Sequence, residues 1–203
     1  MDFFEQLDGQ PHNLLPYDGT AFYYGAIMAR QMADRYYDEL LQVIAWKHEK
    51  VVIGSKRVTT KRKVAWYGDQ PFSYTYSKTT KTALPWIPVL LELRDIIACA
   101  SKETYNACLL NFYNNGNEGM AWHSDGEKDL QKNAAIGSLS FGAERLFYFK
   151  HKETQKTISQ TLENGSLLVM KGVTQSYWLH RLPTTKKAHR PRINLTFRSV
   201  NQR

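Results

Sequence analysis

Cysteine is scarce in this chain: 203 residues contain two, Cys99 and Cys108. Two thiols nine positions apart build neither a disulfide framework nor a metal-binding cysteine pair, so a reducing interior fits best. Long apolar runs are missing too, with nothing near the roughly 20 residues that span a bilayer. The seven prolines and twelve glycines are scattered, with no linker, repeat or low-complexity tract. One domain over 1–203 is therefore expected, large enough to bury its own core. The opening stretch, Met1 to Leu7, is acidic and shows no signal-peptide pattern. No membrane partner is expected, and no dimer seam is visible, so a monomer in the cytoplasm (or the nucleus of a eukaryote) is the expectation.

Acids are also few, 19 against 27 Lys and Arg, a formal charge of +8. The excess is local. Residues 47–63 hold seven bases and one acid, Glu49, and residues 181–203 hold seven bases and none. These 40 residues carry +13, and the other 163 carry −5. A basic surface on an acidic body is the footprint of a polyanion binder, which makes nucleic acid the expected partner. The 47–63 segment is the expected grip on its backbone.

Periodicity predicts a helix within 26–46, with Met28, Met32, Tyr36, Leu40, Val43 and Ile44 as its apolar positions. A second helix fits Pro88 to Ala100, with proline in its first turn and Val89, Leu90, Leu93, Ile96 and Ile97 on one face. Thr20–Tyr24 and Val51–Ile53 read as short strands. After residue 104 the pattern turns to strands at Ala107–Tyr113, Ala134–Phe141, Arg145–Lys150, Thr157–Leu162, Ser166–Met170 and Ile193–Val200. Many short strands following helices predict a mainly β, α+β fold: a sheet sandwich with helices on one side, a jelly roll by preference.

His123-Ser124-Asp125 is the one His-x-Asp in the chain. In extended backbone, residues i and i+2 point the same way, so both side chains can reach one ion. Of the five other histidines, His180 is the best placed as a third ligand. Two imidazoles and a carboxylate on one side of a metal leave the opposite positions open, as in non-haem Fe(II) oxygenases. On a strand over Arg192–Arg198, alternation puts Arg192, Asn194, Thr196 and Arg198 on one face and Ile193, Leu195 and Phe197 on the other. Two guanidiniums beside an amide and a hydroxyl suit a dicarboxylate.

With Asn111-Phe112-Tyr113, Ser138 to Ala143, Asn164 to Leu168, and Ala65 to Asp69 followed by Tyr74 to Ser77, these motifs resemble the AlkB family of Fe(II)/2-oxoglutarate-dependent dioxygenases. The likeness covers roughly residues 45–200. It implies a double-stranded β-helix over 105–203, a nucleotide-recognition region over 46–104 and a helical extension over 1–45. It also implies Fe(II), 2-oxoglutarate and O2 as cofactors, and oxidative demethylation of 1-methyladenine- or 3-methylcytosine-type bases in DNA or RNA, as in repair of alkylation damage. By the same resemblance His123, Asp125 and His180 would hold the metal. Arg192 would take the distal carboxylate of 2-oxoglutarate with Tyr113 and Asn194, while Arg198 and Asn111 would lie near its keto-acid end. Tyr74, Tyr76 and Ser77 match the base-cradling segment, and Glu127 would meet the polar edge of a flipped base. Val52, Ile53 and Gly54 fall where duplex-specific members carry a wedge; strand preference is left open. Two rivals remain: an oxygenase of this fold acting on protein or lipid, and a nucleic-acid binder without chemistry.

Overall fold

The computed structural model describes residues 11–53, 56–76, 79–126 and 128–201. In chain order these form β1 (Thr20–Ala26), α1 (Arg30–Val43), β2 (Lys47–Ile53), β3 (Lys56–Gly68), β4 (Ser73–Tyr76), β5 (Thr79–Thr82) and β6 (Leu84–Pro85). Next come α2 (Pro88–Ser101), β7 (Ala107–Tyr113), β8 (Met120–His123), β9 (Ile136–Gly142) and β10 (Arg145–His151). The chain continues with β11 (Thr157–Leu162), β12 (Ser166–Lys171), α3 (Thr174–Tyr177), β13 (Trp178–Leu182) and β14 (Arg192–Arg198).

From β7 onward the strands wind between two sheets. One has the order β1-β12-β9-β14-β7-β3-β2 and the other β11-β10-β13-β8. Strands 7, 9, 12 and 14 fall in the first and 8, 10, 11 and 13 in the second, which is the double-stranded β-helix, or jelly roll, that was expected. Among the described residues no helix is long and apolar enough to cross a membrane.

Two apolar layers follow from strand alternation. On β12, Leu167 and Val169 join the helices, while Leu168 and Met170 face Phe149, Leu162 and Trp178 inside the sandwich. Helix α2 starts at Pro88, buries Val89, Leu90, Leu93 and Ile97, and ends on Lys102 in a left-handed turn at φ 57°. Ile96, expected on that face, is only half-buried.

Helix α1 differs from its expectation. It is shorter than the 26–46 span, and its buried row is Ala33, Tyr36 and Leu40. Met32 and Val43 lie outside at 43% and 49% exposure. The helix approaches the sheet closely through Ala33: a Cβ on Gly165 would stand 3.0 Å from that of Ala33 and 3.1 Å from Met28 Cγ, so the row through this small residue faces the sheet and Met32 turns outward. Strand limits shift as well, β9 beginning at Ile136 and β14 at Arg192. Val200 instead forms an isolated bridge with Leu130.

Strand β14 is buried along its whole length. Its Ile193, Leu195 and Phe197 enter the helix-side core, so Arg192, Asn194, Thr196 and Arg198 must enter the sandwich. Four polar side chains inside a β sandwich are costly without partners. They mark a built cavity.

Candidate active site

Register across the smaller sheet sets His180 of β13 opposite His123 of β8. Their rings meet edge-on with centroids 4.2 Å apart, and Phe147 stacks on His180 at 5.5 Å. Asp125 follows β8 in the turn, where its backbone N–H donates to Gln175 Oε1 at 2.8 Å. Its carboxylate oxygens lie 4.0 Å from His123 Nε2 and 3.8 Å from His180 Nε2. All three donors fall within 4.8 Å of one another. Two ligands each about 2.2 Å from a shared ion can stand up to about 4.4 Å apart, so both carboxylate–imidazole spacings suit one ion.

The protonation states suit it too. His123 Nδ1 lies 2.8 Å from the Ala121 carbonyl; with its proton there, the Nε2 lone pair faces Asp125. Burial, reinforced by His123, pushes the His180 pKa down to about 3, which keeps that ring neutral at pH 7. Burial alone would raise the Asp125 carboxyl. The positive charge of Arg198, which also donates to the carboxylate, outweighs it and holds that pKa below its ordinary value. Arg198 Nη2 donates to Asp125 Oδ1 at 2.9 Å. A carboxylate and two imidazoles form the donor set of mononuclear non-haem iron sites.

The larger sheet closes the cavity. Arg192 is 2% exposed; its Nη2 donates to Ser140 Oγ at 2.9 Å, and its guanidinium lies 5.6 Å from the Tyr113 ring centre. Its Nε is buried with no hydrogen-bond partner. Burial, with Arg145 nearby, lowers its pKa to about 10. Asn194 donates to Ser138 Oγ at 2.9 Å and to the Leu139 carbonyl at 3.1 Å, while Thr196 donates to Asn194 Oδ1 at 3.2 Å. Asn111 joins from β7, opposite Asn194. One cavity thus unites the three metal-ligand candidates with Asn111, Tyr113, Arg192, Asn194 and Arg198.

The cavity also holds a pair that sequence reasoning missed. Arg62 of β3 is buried and donates to Glu49 Oε2 at 2.5 Å and to Met120 Sδ at 3.2 Å. Glu49 and Tyr113 both favour its charged form. The signal was present in the sequence: Glu49 is the single acid among seven bases. Arg62 is therefore not part of the exposed basic segment expected over 47–63. Its neighbours Lys61 and Lys63 alternate to the other face, where Lys63 lies 5.8 Å from the Phe112 ring centre.

Among the substrate-side residues, Val52 and Ile53 end β2 opposite Arg57 and Lys56. Tyr74 and Tyr76 belong to the β4–β5 hairpin, opposite Lys81 and Thr79. Gly54, Ser77 and Glu127 lie outside the described residues.

The family model for the 2OG-Fe(II) oxygenase superfamily matches residues 20–198. The mouse DNA oxidative demethylase ALKBH2 is 36% identical over 194 residues, covering 90% of this chain and 81% of that protein. The chain belongs to the AlkB family of these oxygenases. The human ALKBH2 is 34% identical across 90% of the chain and 74% of its own length. Bovine alpha-ketoglutarate-dependent dioxygenase alkB homolog 3 is 37% identical across 83% and 62%. The solved structure of OsALKBH1 superposes with a TM-score of 0.58 at 17% identity, covering 84% of this chain and 91% of that one, a likeness of fold alone. An AlkB-family oxygenase is an Fe(II)/2-oxoglutarate-dependent dioxygenase, so Fe(II), 2-oxoglutarate and O2 are its cofactors. The residues present fit them: the donor set suits iron, and the unpartnered Arg192 Nε is a donor left over for a carboxylate.

Proposed function

We propose that this chain removes alkyl groups oxidatively from N-alkylated bases of DNA, with 1-methyladenine and 3-methylcytosine as the type substrates. One observation carries the reading: a His-Asp-His donor set and two buried arginines share one cavity in a chain of the AlkB family. The animal relatives named DNA oxidative demethylase cover most of its length. Residues 1–203 act as one oxygenase domain, with 46–104 as the nucleotide-recognition region and 105–203 as the catalytic core. A monomer working where its nucleic acid lies, in cytoplasm or nucleus, belongs to the same reading.

His123, Asp125 and His180 hold Fe(II). The chemistry that iron, O2 and 2-oxoglutarate supply together is hydroxylation of the N-alkyl carbon, with succinate and CO2 as by-products. Everything else is placement. Arg192, with Tyr113 and Asn194, binds the distal carboxylate of 2-oxoglutarate through paired, charge-assisted hydrogen bonds. Arg198 and Asn111 border the keto-acid end. Arg198 also orients Asp125, holding the carboxylate ionised so that the ligand is ready at neutral pH. The target base must leave its stack to reach the cavity, and Tyr74 and Tyr76 of the β4–β5 hairpin cradle it there. The hydroxylated N-alkyl group is an unstable hemiaminal that collapses to aldehyde and restored base, so no protein nucleophile is required.

The test combines Fe(II), ascorbate and 2-oxoglutarate with an oligonucleotide carrying 1-methyladenine, read by mass spectrometry. Loss of about 14 mass units, the CH2 equivalent, is expected. Asp125→Ala should abolish that loss and metal binding while oligonucleotide affinity survives. Activity retained in Asp125→Ala would sink the ligand assignment. Turnover of 2-oxoglutarate with an unchanged oligonucleotide would move the substrate to another class.

A further inference from the structure

Strand alternation gives each metal-ligand strand a second, outward face. With His123 turned into the cavity, Trp122 of β8 points outside the smaller sheet; with His180 turned in, Arg181 of β13 does the same. There Arg181 lies 4.5 Å from the Trp122 ring centre and 5.2 Å from that of Tyr148, while Lys150 lies 4.9 Å from the Trp122 ring. Tyr148 pairs with Arg181 on one side and Ser159 on the other. The two rings and two cations are all half-exposed.

The charge on this face is of one sign. The four strands of the smaller sheet contain no Asp or Glu. Neither Lys150 nor Arg181 forms an ion pair with a carboxylate among the described residues. Arg181 Nε is buried without a hydrogen-bond partner. Arg30 and Lys171, by contrast, do meet carboxylates, Asp34 and Glu103. On the outer face the cations rest on aromatic rings instead, which holds ring and charge in place and leaves the charge uncompensated.

Resting on the nucleic-acid reading above, we infer that this outer face is a stacking subsite for single-stranded nucleic acid flanking the target base. Trp122 and Tyr148 offer π faces to unpaired bases, and Lys150 and Arg181 take phosphates. Aromatic rings interleaved with bases on a sheet surface are how proteins track single strands without reading sequence. An acidic peptide would use the cations but have no need of the rings. Position agrees as well. Strand β8 is the edge of its sheet. A strand leaving the cavity over that edge meets Trp122 first and Tyr148 two strands on, about 10 Å further.

The test compares a single-stranded 12-mer with a trinucleotide, each carrying a central 1-methyladenine, on the Fe(II)- and 2-oxoglutarate-loaded protein. The trinucleotide has one flanking base on each side of the target, too few to occupy both rings. The readout is the ratio of KM for the trinucleotide to KM for the 12-mer. Trp122→Leu should raise KM for the 12-mer on the order of tenfold, and Lys150→Gln by several-fold, so that the ratio falls towards one. Trp122 adjoins a metal-ligand candidate; Lys150 does not, which keeps the result readable if Trp122→Leu perturbs the site. A ratio preserved in both variants overturns the subsite, as does a KM that rises for a duplex 12-mer but not for the single strand. If the unaltered protein turns over neither oligonucleotide, the nucleic-acid reading itself fails.

Discussion

Arg192 shows how a single residue can be kept at a cost to stability. Its guanidinium is 2% exposed, its burial depresses its own pKa to about 10, and its Nε has no partner. A buried charge without a full set of hydrogen bonds destabilises the folded state, and an apolar side chain of similar volume relieves that cost by about 1–4 kcal/mol. Arg192→Met should therefore raise the melting temperature, by about 2–4 °C for each kcal/mol in a domain of this size. The same change removes the proposed carboxylate partner. Saturating 2-oxoglutarate with a divalent metal stabilises the wild type by about 2.7 kcal/mol at a hundred times its Kd. That increment should vanish in Arg192→Met. A thermal-shift series with and without 2-oxoglutarate tests both halves, and an increment of unchanged size in the variant would remove Arg192 from the cosubstrate site.

At the scale of elements, the site depends on how β8 is held. Residues 114–119 carry the chain from β7 to β8, and they are strapped to the 183–191 loop. Gly116 donates to the Ala188 carbonyl at 2.7 Å and accepts from Thr185 N–H at 2.8 Å. Buried Arg145 adds bonds to the carbonyls of Glu118 and Pro183 at 3.0 and 2.6 Å. A Cβ on Gly116 would come within 2.1 Å of the Thr185 carbonyl oxygen, a backbone atom that cannot swing aside. Gly116→Ala should cost about 1–3 kcal/mol, as overpacking does, and shift His123 from its partners. Denaturant melts should show the loss, and metal affinity should fall with it; a variant with wild-type stability would mean the strap yields freely.

The same elements show what was legible in the sequence. Alternation on Arg192–Arg198 and the His123–Asp125 spacing are local patterns, so the two halves of the cavity could be read from them, and His180 by its setting. Contacts between distant segments could not. The Ala33 row of α1 is chosen by Gly165, and the Arg62–Glu49 pair closes only when β3 lies against β2 and beside β7. Strand β3 itself was hidden because its first half is basic and polar rather than alternating.

Across the whole molecule, the +8 is arranged differently from the two sequence blocks that supply most of it. The 47–63 block does not act as one patch: Arg62 enters the cavity with Glu49, whereas Lys63 shares a face with Phe112, which packs under the helices. Lys61, two residues before Lys63, points the same way. A phosphate backbone crossing the cavity mouth does not reach that side. Lys150 and Lys152 come from a part of the chain outside both blocks. They lie at one end of the smaller sheet, where the Lys152 ammonium is 2.9 Å from the Gln175 carbonyl, on the residue whose side chain fixes the Asp125 turn. Each phosphate contact on a single strand contributes about 0.7 to the slope of log affinity against log salt. Lys150→Gln with Lys152→Gln should therefore flatten the slope for a single-stranded oligonucleotide by about 1.4. Lys61→Gln with Lys63→Gln should leave it unchanged, although it removes the same formal charge. A salt titration of both double variants separates local contact from net charge. Equal flattening in the two would mean that the protein attracts nucleic acid by its overall field, and that neither face of the molecule is the preferred track.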